Sequence, residues 1–291
     1  DLDGDGHITT MWIKDALGRY EIDEDDPRFF TRVGSNDPPG GWTRLGEEGI
    51  DNDDDGRINE DGIGGYDPNR NWPSDWQPEW IQYGATDYPF SLPETRAVGE
   101  FVLDHPNIAA CQSYHNAGGM ILQGPSAEYV IYPASDSRIH SEIAEKGSKM
   151  LPFYDPMISY KDLYTVHGGE DGYYYEGLGI VSFTNELWTT KRMMATGENP
   201  SREDSALFRD LLQFEDVYVP YHEVEHPKYG TILVGGTTKY SSRVTPPWML
   251  EEGCHRNFAF TMYHADEMPM LEWGALDVKK LGDRLWKVTV E

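Results

Sequence analysis

The sequence predicts an α/β fold: a mixed central β-sheet flanked by helices on both faces, with long Asp/Gly-rich loops. Three observations lead there. From about residue 90 apolar strand-like runs alternate with stretches of helical periodicity. Two of those runs, Asn107 to His115 and Gly179 to Leu187, read as strands buried within a covered sheet. Residues 1 to 66, by contrast, are rich in Asp, Gly and Pro and read as long loops with few regular elements.

In chain order, Ser91-Leu-Pro-Glu94 has the form of a capping box, with Ser91 as N-cap and Glu94 three residues on. Ala97, Val98, Phe101 and Val102 then repeat at helical spacing. After the strand ending at His115, Ser135 to Leu151 is helical, with Ile139, Ile143, Gly147 and Met150 along one face. The second strand is followed by a helix over Ser201 to Phe214, capped through Ser201 and Asp204, and by another over Pro247 to Met262. Near the end Trp286, Val288 and Val290 alternate with polar residues, as in a half-buried strand. With no turn or partner strand after it, that stretch reads as a β-domain cut off at its first strand. The expected organisation is one main domain over residues 1–266, with Asp-rich loops at 1–62, and the start of a following β-domain at 267–291.

The 291 residues carry a formal net charge of −27, concentrated at Glu21 to Asp26 and Glu47 to Asp61. Phosphate binding needs Lys/Arg patches, so nucleic acid is excluded as a partner. An acidic surface favours solubility and collects divalent cations. No apolar run has the length of a membrane span, and none of the given residues is expected to form a signal peptide. The chain begins at Asp1 without an initiator Met, as a processed or excised piece would. Cys111, within an apolar strand pattern, reads as a buried free thiol rather than half of a pair with Cys254.

Asp51-Asn-Asp53-Asp-Asp55-Gly56 alternates acidic side chains and then supplies a glycine for a sharp turn. Ca²⁺ takes six to eight oxygens, and this spacing aims three carboxylates inward. The Arg57 carbonyl and the carboxylates of Glu60 or Asp61 would complete the shell, although Gly62 at position twelve departs from an EF-hand. Asp1, Asp3 and Asp5 repeat the start of the pattern and form a second candidate calcium loop. Calcium here would be structural, neutralising carboxylates that otherwise repel; the alternative is a pair of solvated acidic loops.

Four local signals carry chemistry. Asn69-Arg70 offers a guanidinium that forks onto a carboxylate, with an amide beside it. His115 ends a buried strand, where α/β folds place ligands. Tyr164 lies just before Gly168-Gly169, as a phenol on a loop would. Glu186 closes an apolar strand, and a charge there is costly unless it has a partner or faces a cleft as a general base.

Together these stretches resemble the zinc carboxypeptidases of the carboxypeptidase A family, from about Trp12 to about Phe260 and most strongly between Asp67 and Leu187. The family's Tyr…Gly-Gly…Ser-Phe-Thr-x-Glu-Leu pattern is matched by Tyr164, Gly168, Gly169, Ser182, Phe183, Thr184, Glu186 and Leu187, and Asn-Arg-Asn-Trp by Asn69 to Trp72. The resemblance implies that His115 is a zinc ligand. It makes Glu186 the general base, then acid, toward a water held by zinc. It assigns the substrate's terminal carboxylate to Asn69 and Arg70, and closure over the substrate to Tyr164. An arginine would stabilise the oxyanion, for which Arg19 is the candidate by order. Peptide or protein C-termini are the implied substrates, and an extracellular, periplasmic or cell-surface setting is implied as well.

The sequence departs from the family in one respect. The family takes two zinc ligands from a His-x-x-Glu motif upstream of Asn-Arg, and no such motif precedes Asn69; the chain is expected to start just after it. His222-Glu-Val-Glu-His226 spells HExxH but is bracketed by Pro220 and Pro227, so a loop is expected there. His167-Gly-Gly-Glu170 spells His-x-x-Glu in the wrong place. The first reading is thus a zinc-dependent carboxypeptidase fragment lacking two zinc ligands. The alternatives are an inactive module that binds peptide C-termini and calcium, and a structural module of a larger cell-surface protein. Glu170 or Asp171 would favour a basic terminal side chain, and Tyr173 to Tyr175 an aromatic one.

Overall fold

The computed structural model describes residues 1–51, 58, 65–214, 216–239, 241–272 and 274–290. Asp53, Asp55, Arg57, Glu60 and Asp61, where a calcium loop is expected from the sequence, lie outside the described residues.

The site rests on a four-stranded mixed sheet. Its strands, numbered along the whole chain after β1–β4, are β5 (Ala110–Asn116), β6 (Met120–Gln123), β7 (Asp155–Ile158) and β8 (Val181–Leu187), in the order β5-β8-β6-β7. β5 and β8 run parallel, β6 is antiparallel to β8, and β7 is parallel to β6. Side chains alternate across a sheet, so the sheet feeds one core on each face. Ile121 and Phe183 pack with Ile143 and Ala144 of helix α2 (Ala134–Met150) and Phe260 of helix α5 (Pro247–Asp266). On the opposite face Cys111 joins Trp72, Tyr173, Tyr174, Ile180 and Val102, the last from helix α1 (Pro93–Asp104). The expected covered mixed sheet is therefore present.

Residues 1–66 differ from the expectation of loops. Four strands lie there: β1 (Thr10–Lys14), β2 (Tyr20–Ile22), β3 (Phe30–Arg32) and β4 (Trp42–Glu47). With β9 (Tyr218–His226) and β10 (Gly230–Thr237) they form an antiparallel sheet, ordered β3-β2-β4-β1-β10-β9. Met11, Ile232 and Val234 form its buried centre. HExxH falls on β9, so it is a strand rather than the expected loop. His222 Nε2 donates to the Asp3 carboxylate at 2.7 Å, and His226 meets the Gly49 carbonyl at 3.1 Å.

Two terminal details also differ. The N-cap of α1 is Leu92, with no side-chain cap, because the Ser91 hydroxyl is engaged by the Asn71 amide at 2.9 Å. The strand at Trp286–Val290 (β12) does have a partner, Leu276–Lys280 (β11), so the stretch is a hairpin. The helix α4 (Arg202–Leu212) carries the expected capping box, with Ser201 Oγ accepting from the Asp204 N–H. Both cysteines are free; Cys111 is half-buried, and burial pushes its thiol up to about 11.

Candidate active site

Three segments converge above the C-terminal ends of β5 and β8. The parallel register places His115 opposite Glu186. Both side chains lie on the same face, and the His115 Nδ1 is 3.8 Å from Glu186 Oε1. Asn69 and Arg70 come from a 3₁₀ turn, Pro68–Arg70, whose N-cap Asp67 accepts the Asn69 N–H at 2.8 Å. Gly168-Gly169 lets the segment after Tyr164 pass directly over that turn. Gly168 has φ +67°, and a Cβ on it would lie 2.5 Å from the Arg70 carbonyl oxygen. The Trp72 N–H donates to Gly168 O, and the Glu170 N–H donates to Asn69 Oδ1 at 2.8 Å.

Asn71, fully buried, ties this turn to the start of α1. Its NH₂ faces the Tyr88 carbonyl and Ser91 Oγ, and its Oδ1 accepts from Leu92 N–H and Thr95 Oγ1. The result is a cleft of about 150 Å³ lined by Asn69, Arg70, His115, Tyr164, Asp171 and Glu186. A larger cavity of about 470 Å³ lies beside Tyr114, Leu187, Trp188 and Phe258. Tyr114 and Leu187 each neighbour a site residue in sequence, so pleating turns them to the other face. That cavity holds neither His115 nor Glu186, and the smaller cleft is the one with chemistry.

The electrostatics suit proton transfer. Burial pushes the Glu186 pKa above the ordinary carboxylate range, while His115 and Arg243 pull it back. The hydrogen bond to Glu170 holds the His115 pKa above its usual value, against the opposing effect of burial. Asp171 is 8% exposed and accepts from Ser126, Ser159 and the Gly172 N–H; burial raises its pKa. Tyr164 is 54% exposed, a phenol at the mouth of the cleft.

Five expected residues thus meet: Asn69, Arg70, His115, Tyr164 and Glu186. Arg19 does not join them. Its guanidinium donates to the Val33, Gly34 and Asp37 carbonyls beside β2. Arg243 lies near enough for its charge to lower the Glu186 pKa, and its Nη2 donates to the Asn116 carbonyl at 2.8 Å. No sequence signal singled it out. The His-x-x-Glu at 167–170 splits: His167 pairs with Asp75 at 2.7 Å, while Glu170 meets His115 Nε2 at 2.8 Å. Away from the cleft, oxygens of Asp1, Asp3 and Glu48 lie within 4.8 Å of one another, a spacing that suits a metal ion. Asp5 instead accepts the His7 N–H, and Asp51 is paired with Lys228.

The fold and the cleft define a metallocarboxypeptidase-like α/β protein. The family described as zinc carboxypeptidase matches residues 42–205, more than half of the chain, and the chain belongs to that family. No curated protein matches. Among solved structures, bovine thrombin-activatable fibrinolysis inhibitor in complex with a tick carboxypeptidase inhibitor is 24% identical, with 52% of each chain covered and a TM-score of 0.39. The carboxypeptidase A from Helicoverpa armigera is 22% identical over 42% of this chain and 32% of that one, with a TM-score of 0.37. The chain thus spans about half, or less, of the length of these structures. No helix among the described residues is long and apolar enough to cross a membrane.

The family implies zinc. A catalytic zinc takes three protein ligands and keeps an open position. His115 fits one of these places, with an imidazole nitrogen turned toward the cleft beside Glu186. It is the one histidine lining the cleft among the described residues.

Proposed function

We propose that the chain is the substrate-binding and base-bearing part of a zinc-dependent carboxypeptidase that hydrolyses C-terminal peptide bonds. The observation that carries this reading is the pairing of Glu186 with His115 across adjacent parallel strands, with Asn69 and Arg70 lining the same cleft. Zinc, when bound, lowers the pKa of water and polarises a carbonyl. The rest belongs to this chain's side chains. Arg70 and Asn69 bind the terminal carboxylate and so place the last peptide bond over Glu186. Glu186 is partly desolvated and carries a raised pKa, which suits it to take a proton from water and return it to the leaving amine. Tyr164 shields the bound end. Asp171, buried in the cleft and in no ion pair among the described residues, supports a preference for substrates ending in Lys or Arg. A structural Ca²⁺ at Asp1, Asp3 and Glu48, an extracellular setting and a β-domain beginning near residue 267 complete the proposal.

The test is hydrolysis of peptides with free or amidated C-termini by the full protein and its E186Q variant. Cleavage of free ends only, with a loss of about 10²-fold or more in kcat for E186Q, is the expected result. Equal cleavage by the variant, or equal use of amidated peptides, would sink the reading. A second reading is a binding module without turnover, favoured by His115 being the one histidine that lines the cleft among the described residues. It predicts peptide binding with no hydrolysis even by the full protein.

A further inference from the structure

We propose that Glu170 is the positioning residue for His115, holding its ring in the tautomer and orientation that leave Nδ1 free for a metal. The inference rests on the zinc reading of the cleft and deepens it.

The two ring nitrogens of His115 meet different surroundings. Nε2 is 2.8 Å from Glu170 Oε1, within hydrogen-bond range, whereas Nδ1 is 3.8 Å from Glu186 Oε1, beyond it. An ionised carboxylate only accepts, so the proton on a neutral ring sits on Nε2. The Nδ1 lone pair then points into the cleft on the side of Glu186. Histidines that bind metals commonly give their second N–H to a carboxylate, which sets the tautomer and raises the basicity of the ligating nitrogen.

Glu170 is itself held. It follows Gly169 at the start of a short helical turn, α3 (Glu170–Gly172), and its main-chain N–H donates to Asn69 Oδ1. One residue therefore links the imidazole, through its side chain, to the carboxylate-binding Asn69, through its backbone. The Glu170 side chain is only 15% exposed, so few competing waters reach the bond. The sequence suggests Glu170 as a selector of the substrate side chain; the geometry points to the neighbouring Asp171 for that role and turns Glu170 toward the histidine.

The experiment reads the His115 tautomer by ¹⁵N NMR near pH 8 without metal, and zinc affinity by chelator competition, in wild type, E170A, E170Q and H115A. Wild type should show the Nε2–H tautomer. E170A should mix the tautomers and weaken zinc about 10- to 100-fold. E170Q keeps the shape and an acceptor oxygen, so it should fall between the two; it also serves if E170A fails to fold. An E170A protein with an unchanged tautomer overturns the proposal, and if zinc is lost at the same time Glu170 is a ligand rather than a holder. A wild-type chain whose zinc affinity equals that of H115A overturns the zinc reading, while the tautomer comparison still decides what Glu170 does to His115.

Discussion

Among the described residues two large sheets stand beside the terminal β11–β12 hairpin, and only the mixed one carries the cleft. In the mixed sheet, β5 and β8 are parallel neighbours, so both end at the same edge and deliver His115 and Glu186 side by side. In the antiparallel sheet, each strand ends where its neighbour begins, so adjacent C-terminal residues sit at opposite edges. Its HExxH shows the consequence: His222 and His226 run along one strand to separate partners and never converge. Chemistry that needs two strand ends together needs parallel pairing.

The cores differ in the same way, and mutations can sharpen the contrast. Phe183 is buried between α2, α5 and its own sheet. Phe183→Ala should cost about 3–5 kcal/mol in urea unfolding. Met11 centres the smaller core of the antiparallel sheet. Met11→Ala should cost about 2–5 kcal/mol and leave the His115 NMR signal in place. If M11A shifts that signal as much as F183A does, the two sheets are not separable in their effect on the cleft.

Acid should weaken the mixed sheet in particular. His264 packs edge-on against Phe183, and burial, aided by nearby His140, pulls its pKa down to about 4. Burial lowers the His140 pKa as well. Between about pH 6.5 and 4 the unfolded chain therefore binds a proton at His264 that the native one refuses. Stability is full above that window and falls as the pH drops through it, by about 2 kcal/mol at pH 5 for His264. Asp171, Glu176 and Glu186, raised by burial, act in the opposite sense. The measurement is thus the difference in pH slope between wild type and H264Q, which should be the flatter. Equal slopes would remove His264 from the account.

The smallest expected effect is at α4. Ser201→Ala removes one half of its capping box and should cost about 1 kcal/mol. A loss near that of F183A would mean that the cap at Ser201 holds more of the fold than its exposed position implies.

The same contrast explains what the sequence revealed. β5, β8, α2 and α5 were legible because each has a continuous periodic pattern. β2 and β3 have three residues each, and β1 pairs with β10 from the far end of the chain, so no local pattern announced that sheet. At Ser91 a correct local signal lost to a tertiary one, since Asn71 claims its hydroxyl. The cleft was legible where motifs were contiguous. Glu170 was visible as part of a His-x-x-Glu spelling and as a candidate selector of the substrate side chain, but its bond to His115 spans 55 positions and left no local trace. Arg243, close enough for its charge to lower the Glu186 pKa, comes from a stretch without pattern.

The register of β5 on β8 has a consequence for how this protein tolerates change. The Cα spacing of His115 and Glu186 is set by main-chain hydrogen bonds between adjacent strands, about 4.8 Å apart. Connections around them can lengthen or shorten without altering that spacing, as long as the strands stay paired. A shift of one residue in the pairing, by contrast, would move one partner to the opposite face and separate base from imidazole at a stroke. Insertions in the loops are thus cheap for this chemistry, and a deletion within Val181–Leu187 would be ruinous.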